Sequence, residues 1–322
     1  MRKIKISNLS KDVSVLGLGT MIFSPSKKEL AFGILDNFQG NGGTLIDTAE
    51  IYGAPEQYGY SEATIGMWFE SRKKRQDVVL LTKGCIPGSC MPIHPNGLEI
   101  SPKCINASIE GSLKRLKTDY IDIYHLHGVA PQDYITVRDR FYPELVKLKE
   151  KGKIRFTGLT ELFGTDTTHE TMKVALVDDL WDVIMVGYNI INPSAVKTIL
   201  PIAKEKNVGT LCMFAVRASL SDPKQLKLDV KKMLAEAQVD RELVKQDKTI
   251  DFLIDNGYAE SIMEAAYRFC RYTKGIDVTL MGTGTLAHLE DNLSSISKPP
   301  LPEIALRKLE SMFGRVDCVS GQ

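Results

Sequence analysis

The chain has 322 residues, with 41 lysines and arginines against 40 aspartates and glutamates, and 43% of it is hydrophobic. The net charge of +1 argues against a dedicated nucleic-acid-binding protein, which normally carries a basic excess. No apolar run approaches the ~18 residues that a membrane span needs, and no apolar stretch follows the basic N-terminus as in a secretory signal. Six cysteines in a chain of this length indicate reduced thiols rather than a disulfide framework. We therefore expect a cytoplasmic protein that binds neither nucleic acid nor membrane.

Short apolar, β-rich runs alternate with amphipathic segments along the chain. Between positions 44 and 209 successive runs start 27–42 residues apart, which suits one strand and one helix each. The eight runs are 13–18, 44–47, 78–83, 120–124, 154–159, 182–186, 209–214 and 277–281.

Two of the segments between these runs carry helix-start signals. Ser26 and Glu29 have the spacing of a capping box, which predicts a helix that ends near Gly40. Ser101 and Pro102 read as an N-cap followed by proline at the first helical position. The second helix then has apolar residues at helical spacing, namely Ile105, Ile109, Leu113 and Leu116.

Eight strands that alternate with helices predict an α/β protein, a closed (β/α)8 TIM barrel. We expect one domain over residues 1–322, with an insertion at about 218–250 and a C-terminal tail at about 296–322. A doubly wound open sheet is the competing fold. The early pair Gly17 and Gly19 lacks the third glycine of a dinucleotide fingerprint, which weakens that alternative.

Polar residues stand at the ends of three neighbouring predicted strands. The second strand ends in Asp47, the third in Lys83, and the fourth runs into His125 and His127, while Tyr52 follows in the loop after the second. In a parallel barrel the carboxyl ends of all strands meet at one face, where the chemistry is found. Each residue alone is more often structural, since buried Asp–Lys pairs and core histidines are common. Together they predict a catalytic site.

The chain resembles the aldo-keto reductase family in several motifs that occur in the family's order. They are Ile46-Asp-Thr-Ala-Glu-Ile-Tyr-Gly53 with Ser61-Glu62, Leu81-Thr-Lys83, 112–127, Gly152-Lys-Ile-Arg-Phe-Thr-Gly158 and 282–292. The resemblance implies reversible hydride transfer between a nicotinamide cofactor and an aldehyde, ketone or sugar. The Gly-Thr-Gly turn and the run 213–217 are closest to the sugar-dehydrogenase branch, such as the galactose dehydrogenases.

The resemblance places the family's catalytic tetrad on Asp47, Tyr52, Lys83 and His127. Tyr52 would be the general acid, and its ordinary pKa near ~10 is high for proton transfer at neutral pH. We expect Lys83 to lower that pKa and Asp47 to keep Lys83 charged and oriented. His127 would hydrogen-bond the carbonyl oxygen.

The resemblance also implies the residues around the nicotinamide, and here the chain departs from the family. Thr160, Glu161 and Met185 stand where many members carry Ser, Asn and Gln for the carboxamide. Thr160 supplies a hydroxyl, Glu161 can only accept while ionised, and Asn189 is a substitute for the apolar Met185. We expect Phe214 to stack on the nicotinamide, with Met213 as the other candidate.

The remaining cofactor contacts are predicted around strands one, seven and eight. Arg217 is expected to reach the diphosphate or the substrate, and Thr285 to cap a helix whose N-terminus faces a phosphate. NADP-preferring relatives commonly have Lys and Arg where this chain has Gly282 and His288, which favours NAD. NADP stays open if Arg217 or a lysine from 222–248 holds the 2′-phosphate. The other predicted cofactor-binding residues are Gly19, Thr20, Thr283, Gly284, Glu290 and Asn292.

Two further groups of residues suggest weaker alternatives. Cys85, Cys90 and His94 with Cys104 miss the usual C-x2-C spacing of a zinc site, so we predict no metal and place these residues at the substrate mouth. Aromatic residues after strand two, namely Tyr58, Tyr60 and Trp68, are candidates for a substrate wall, although Trp68 fits packing against the barrel better.

The predicted partner is a small carbonyl or sugar-like molecule, bound by a monomer or weak homo-oligomer. A catalytically silent, nicotinamide-sensing barrel is the main competing function, motivated by the unusual residues at 160, 161 and 185. An open-sheet dehydrogenase of another family would require the strand count to be wrong.

Overall fold

The computed structural model describes residues 1–6, 9, 11–53, 58–85, 101–244 and 249–322. Strands β1 (Lys3–Ile4) and β2 (Val13–Ser14) form an antiparallel pair. The barrel strands are β3 (Leu16–Gly19), β4 (Leu45–Asp47), β5 (Val79–Cys85), β6 (Ile121–Val129), β7 (Ile154–Glu161), β8 (Val183–Gly187), β9 (Gly209–Met213) and β10 (Val278–Gly282). They are parallel and close in the order β10-β3-β4-β5-β6-β7-β8-β9. The predicted barrel and all eight runs are confirmed, and the open-sheet alternative is wrong.

Helices surround the barrel. The longer ones are α1 (Lys28–Gly40), α2 (Tyr60–Arg72), α3 (Cys104–Leu116), α4 (Tyr142–Glu150), α5 (Glu170–Ala175), α6 (Leu200–Glu205), α7 (Pro223–Ala235), α8 (Ile262–Tyr272), α9 (Leu286–Ser297) and α10 (Glu303–Phe313). Shorter helical segments are Pro25–Lys27, Arg75–Asp77, Pro131–Asp133, Tyr134–Thr136, Val137–Phe141, Ala195–Thr198, Ala218–Ser221 and Phe252–Asp255. Within the described ranges, no helix combines the length and hydropathy that a membrane crossing needs.

Both helix-start signals mark their helices but do not cap them as predicted. A short 3₁₀ segment, Pro25–Lys27, precedes α1, and the Ser26 hydroxyl bonds Ser24 instead of a helix N–H group. The second helix, α3, starts at Cys104, whose N–H group bonds the Ser101 carbonyl. The predicted ends hold, because α1 stops at Gly40 and α3 covers the apolar positions up to Leu116.

The barrel interior is filled by side chains from alternate strand positions. Leu45, Leu81 and Ile123 belong to one buried cluster, which residues of the N-terminal segment such as Ile6 and Val13 extend. Because strand side chains alternate in direction, the residues two positions further along point to the same inner face. This alternation therefore places Asp47, Lys83 and His125 on the inner face, at the C-terminal end of the barrel.

The insertion and the C-terminal tail pack against each other. Val230 and Met233 of α7 share a buried cluster with Leu309 and Phe313 of α10. Gln238 strengthens this contact, since its side-chain oxygen accepts hydrogen bonds from the N–H groups of Asp317 and Cys318. Apolar burial therefore ties the last residues of the chain to the segment between β9 and β10.

Candidate active site

A cavity of about 640 Å³ opens at the C-terminal ends of the strands. Its walls include all four residues of the predicted tetrad and most of the predicted cofactor contacts. These are Gly19, Asp47, Tyr52, Lys83, His127, Thr160, Glu161, Phe214, Arg217, Gly282, Thr283, Gly284 and His288.

Lys83 joins two other residues of the tetrad. Its Nζ lies 2.5 Å from Asp47 Oδ1 and 3.3 Å from the Tyr52 hydroxyl, and it donates to the Thr48 carbonyl at 2.9 Å. The loop after β4 is held in reach because the Glu50 N–H group bonds the Lys83 carbonyl. An almost fully buried ammonium thus contacts one carboxylate and one phenol in the cavity wall.

Burial and charge oppose each other in this triad. Burial lowers the pKa of Lys83, but Asp47 and Tyr52 outweigh it and leave that pKa above its ordinary value. Lys83 therefore stays charged at neutral pH. Burial raises the pKa of Tyr52, while the positive charges of Lys83 and Arg217 oppose that rise. The predicted lowering by Lys83 is present but smaller than the cost of removing the phenolate from water.

His127, the fourth residue of the predicted tetrad, contacts Tyr52. The two rings meet edge to face with their centroids 6.0 Å apart. Burial, followed by the charge of Lys83, lowers the pKa of His127 to about 3, so the imidazole is neutral. Its Nδ1 is buried and has no hydrogen-bond partner among the described residues. A neutral ring keeps one N–H donor and is suited to bind a carbonyl oxygen.

A second histidine, His125, lies inside the barrel on β6, where it is the register partner of Lys83 on the neighbouring strand β5. Its Nδ1 is 3.1 Å from the Thr160 hydroxyl, and burial places the pKa of its ring well below the ordinary value. Thr160 lies in the cavity wall at the predicted carboxamide position. His125 therefore holds the hydroxyl that the sequence analysis assigned to the cofactor.

Glu161 lines the cavity, and internal hydrogen bonds hold its carboxylate. Its two carboxylate oxygens lie 2.9 and 3.1 Å from His169 Nδ1, and one of them accepts the Gly187 N–H group at 2.7 Å. His169 Nε2 continues the chain to the Ser194 hydroxyl at 2.9 Å. The carboxylate thus has internal hydrogen-bond partners, and its role as an acceptor for a carboxamide stays a prediction. Nothing in the sequence marked His169 as its partner.

Asn189 does not substitute for Met185 as predicted. Its amide donates to the Ser320 carbonyl at 3.0 Å, and its side-chain oxygen accepts from the N–H groups of Ile191 and Asn192. All of its polar atoms thus hold the C-terminal tail and its own loop. Met185 lines the cavity without a polar group.

Phe214 and Arg217 enter the cavity together from the loop after β9. Phe214 has φ +67°, a left-handed conformation that costs a residue other than glycine about 1–3 kcal/mol. The Arg217 guanidinium lies 4.0 Å from the centre of the Phe214 ring, and Phe163 meets the same ring edge to face at 5.4 Å. Both predicted residues therefore line the cavity, on a loop with a strained backbone at Phe214.

The turn after β10 reaches the same cavity. Thr285 caps α9 by accepting the His288 N–H group at 3.1 Å, as predicted. A second cavity of about 410 Å³ shares Val216, Tyr267, Gly282 and His288 with the first and is also lined by Asn292. The two cavities therefore adjoin at these shared residues, beside the start of α9.

A sequence profile of the Aldo/keto reductase family matches residues 15–312. The chain belongs to the Aldo/keto reductase family. An uncharacterized oxidoreductase of Bacillus subtilis, YrpG, is 28% identical over 312 residues, covering 94% of this chain and 92% of the relative.

Solved aldo-keto reductases share the fold. The holo form of AKR11C1 from Bacillus halodurans superimposes with a TM-score of 0.73 at 24% identity, over 99% of this chain and 98% of that one. An aldo-keto reductase of Klebsiella pneumoniae in complex with NADPH gives a TM-score of 0.69 at 21% identity, over 99% and 100% of the chains.

Two residues predicted as cofactor contacts lie elsewhere in this aldo-keto reductase. Thr20 is fully buried, and its hydroxyl donates to the Asp47 carbonyl at 2.9 Å and contacts the Ser61 hydroxyl at 2.7 Å. Thr20 therefore supports the loop that carries the tetrad instead of facing the cavity. Glu290 is exposed on α9, outside both cavities.

The structure describes part of the predicted cysteine–histidine group and of the aromatic group after strand two. Cys90 and His94 lie outside the described residues, as does the Cys85 side chain, while Cys104 is buried. No cluster of metal ligands occurs among the residues that the structure places. Trp68 is fully buried and donates to Asp36, as packing against the barrel predicts, whereas Tyr58 is exposed.

Proposed function

We propose that this aldo-keto reductase interconverts a carbonyl compound and its alcohol by nicotinamide-dependent hydride transfer, with Tyr52 as proton donor and acceptor. The observation that carries this proposal is the contact of Lys83 Nζ with both Asp47 and Tyr52 in the cavity wall. A charged lysine stabilises the phenolate that Tyr52 becomes when it gives up its proton.

Each residue of the tetrad has a distinct task. When bound, the nicotinamide supplies a hydride to the carbonyl carbon or accepts one from the alcohol. Tyr52 gives its proton to the carbonyl oxygen, and because burial raises the pKa of Tyr52, the phenol is protonated and ready for reduction at neutral pH. Asp47 holds Lys83 in place, and the neutral His127 donates a hydrogen bond to the carbonyl oxygen.

The dinucleotide is proposed to lie across the two adjoining cavities. Thr160 is the polar contact for the carboxamide, and Phe214 is the aromatic surface for the nicotinamide ring. The turn 282–284 and the N-terminus of α9 are suited to phosphate, since backbone N–H groups and the helix dipole favour an anion there.

We propose NAD rather than NADP as the cofactor, with the charges of the second cavity as support. Three carboxylates line it, those of Glu260, Glu264 and Asp291. Lys298 also lines it, but its Nζ is 2.6 Å from both Glu260 and Glu264, so its charge is compensated. Arg268 also pairs with Glu264, at 2.7 Å, so these groups carry one net negative charge. A 2′-phosphate would meet that charge, whereas a ribose hydroxyl can donate to a carboxylate.

The proposed substrate is a small aldehyde, ketone or sugar-like molecule, and the proposed setting is the cytoplasm, as a monomer or weak homo-oligomer. The experiment follows nicotinamide absorbance with NADH and NADPH against a panel of aldehydes, ketones and aldoses. Tyr52→Phe is compared with Tyr120→Phe, a control whose hydroxyl bonds Gln76 at the surface. Consumption that only the first variant abolishes supports the proposal, and near-normal kcat in Tyr52→Phe contradicts it.

A nicotinamide-sensing protein without turnover is the second candidate. Glu161 and Asn189 are engaged internally and Met185 is apolar, so Thr160 remains as the polar side chain assigned to the carboxamide. Cofactor binding without consumption of any carbonyl compound would favour this candidate over the enzyme.

A further inference from the structure

We infer that Arg217 binds an anionic group on the substrate, so that the preferred carbonyl compounds carry a carboxylate or a similar small anion near the reacting carbon. This inference rests on the proposed function and adds a substrate class to it. It is argued from the charge balance of the cavity and from the position of Arg217 in it.

Lys83 and Arg217 both line the cavity, and of these two only Lys83 forms an ion pair with a residue that the structure describes. Lys83 pairs with Asp47 at 2.5 Å, and the Glu161 carboxylate is hydrogen-bonded to His169 Nδ1 at 2.9 Å. Among the residues that the structure describes, no carboxylate lies within 4.0 Å of the Arg217 guanidinium. A half-buried cation without a counter-ion is costly, and an anionic ligand would remove that cost.

The guanidinium is also arranged for an incoming ligand. One of its faces lies on the Phe214 ring at 4.0 Å, which fixes its plane and leaves the N–H groups in that plane. Its Nε is buried and has no hydrogen-bond partner in the part of the chain that the structure describes. A planar donor set of this kind matches the two oxygens of a carboxylate.

The position of Arg217 favours the substrate over the cofactor diphosphate. Arg217 and Tyr52 line the same cavity, and the charge of Arg217 acts directly on the Tyr52 phenol. An anion bound there therefore lies near the carbonyl that Tyr52 protonates. The diphosphate has its own candidate position at the turn 282–284.

The test uses two aldehydes of the same shape. One is 4-carboxybenzaldehyde, and the other is 4-formylbenzamide, in which a neutral amide replaces the carboxylate. Arg217→Met removes the charge but keeps an apolar side chain over Phe214, and Arg217→Lys keeps the charge without the planar donor set.

We expect Arg217→Met to lower kcat/KM for 4-carboxybenzaldehyde by about 10- to 100-fold, the size of a hydrogen bond to a charged group. In the same variant, kcat/KM for 4-formylbenzamide should fall less than about threefold, and NADH affinity should stay within about twofold. Arg217→Lys should have a kcat/KM for 4-carboxybenzaldehyde between those of wild type and Arg217→Met. Equal losses for both aldehydes with weakened NADH binding would assign Arg217 to the diphosphate. Unchanged kinetics for both aldehydes would also overturn the inference.

A binding experiment separates this inference from the proposed function. Benzoate is titrated calorimetrically into cofactor-saturated protein, where its carboxylate tests the anion site without turnover. If wild type binds benzoate and Arg217→Met does not, the anion site stands even where neither aldehyde is consumed. If turnover depends on Tyr52 but wild type and Arg217→Met bind benzoate equally, the proposed function stands and the anion site is rejected.

Discussion

His125 Nδ1 lies 3.1 Å from the Thr160 hydroxyl inside the barrel. Because the ring is neutral, one of the two groups donates the shared proton, and the choice decides what Thr160 offers to the cavity. If His125 donates, the hydroxyl hydrogen is free for a carboxamide oxygen. If Thr160 donates, only its lone pairs face the cofactor. We therefore predict that His125 positions Thr160 for the proposed contact with the carboxamide.

This relationship predicts a coupled loss of cofactor affinity. Thr160→Val and His125→Gln should each raise the Kd for NADH about 3- to 10-fold, the worth of one neutral hydrogen bond. The double variant should be little worse than Thr160→Val, because both changes remove the same interaction. Fluorescence titration measures the three values, and strictly additive losses would show that His125 acts independently of Thr160.

Glu161 should behave in the opposite way. Its carboxylate serves His169 and the Gly187 N–H group, so Glu161→Gln should change the NADH Kd less than about twofold while lowering the free energy of unfolding by ~1–3 kcal/mol. Urea unfolding and NADH titration of the same preparation measure both quantities. If Glu161→Gln weakened NADH binding without lowering the free energy of unfolding, the result would support the predicted contact between Glu161 and the cofactor.

The Asp47–Lys83 pair gives a third prediction, on stability. Lys83→Met leaves the Asp47 carboxylate buried without its cation, which should cost about 3–5 kcal/mol in free energy of unfolding. Adding Asp47→Asn removes the unpaired charge, so the double variant should regain a large part of that loss. Both proteins should lack turnover. A double variant as unstable as Lys83→Met would mean that the unpaired charge is not the cause.

The barrel and the tetrad were predictable because they depend on local pattern. Strand runs such as 78–83 are apolar and end in a polar residue, and parallel topology brings those ends together without further information. The partners of Glu161 and Asn189 were not predictable. His169 and Ser320 meet these residues only after the loops and the tail have packed, and no spacing in the chain records that contact. The same limit applies to Thr20, which packing turns away from the cavity.

The neutral state of His127 predicts a pH dependence of stability. Its folded pKa of about 3 lies below the ordinary 6.5, so below pH 6.5 the unfolded chain takes up a proton that the folded protein does not. The stability that this site provides is full above pH 6.5 and is lost as the pH falls toward 3. Between pH 8 and 5, wild type should lose more free energy of unfolding than His127→Gln, by at most about 2 kcal/mol. Equal losses in urea titrations at the two pH values would mean that His127 titrates normally.

Cofactor choice can be tested at Gly282, where a lysine fits. A Cβ at this position meets no atom within 4 Å, its φ is not positive, and the residue is exposed in the wall shared by both cavities. Gly282→Lys places a cation where NADP-preferring relatives carry one. It should lower the Kd for NADPH about 3- to 10-fold and leave that for NADH within about twofold, because only NADPH carries the 2′-phosphate.

Gly282→Gln is the matched control for this change, since it adds a polar side chain without a charge. The gain for NADPH should also shrink in 0.5 M salt, where the screening length falls to a few ångströms. If Gly282→Gln raised NADPH affinity equally, or if the gain from lysine did not depend on salt, the effect of lysine would come from contact area and not from charge. Wild-type affinity that is higher for NADPH than for NADH would contradict the argument from Glu260, Glu264 and Asp291, because it would require those carboxylates to tolerate a phosphate beside them.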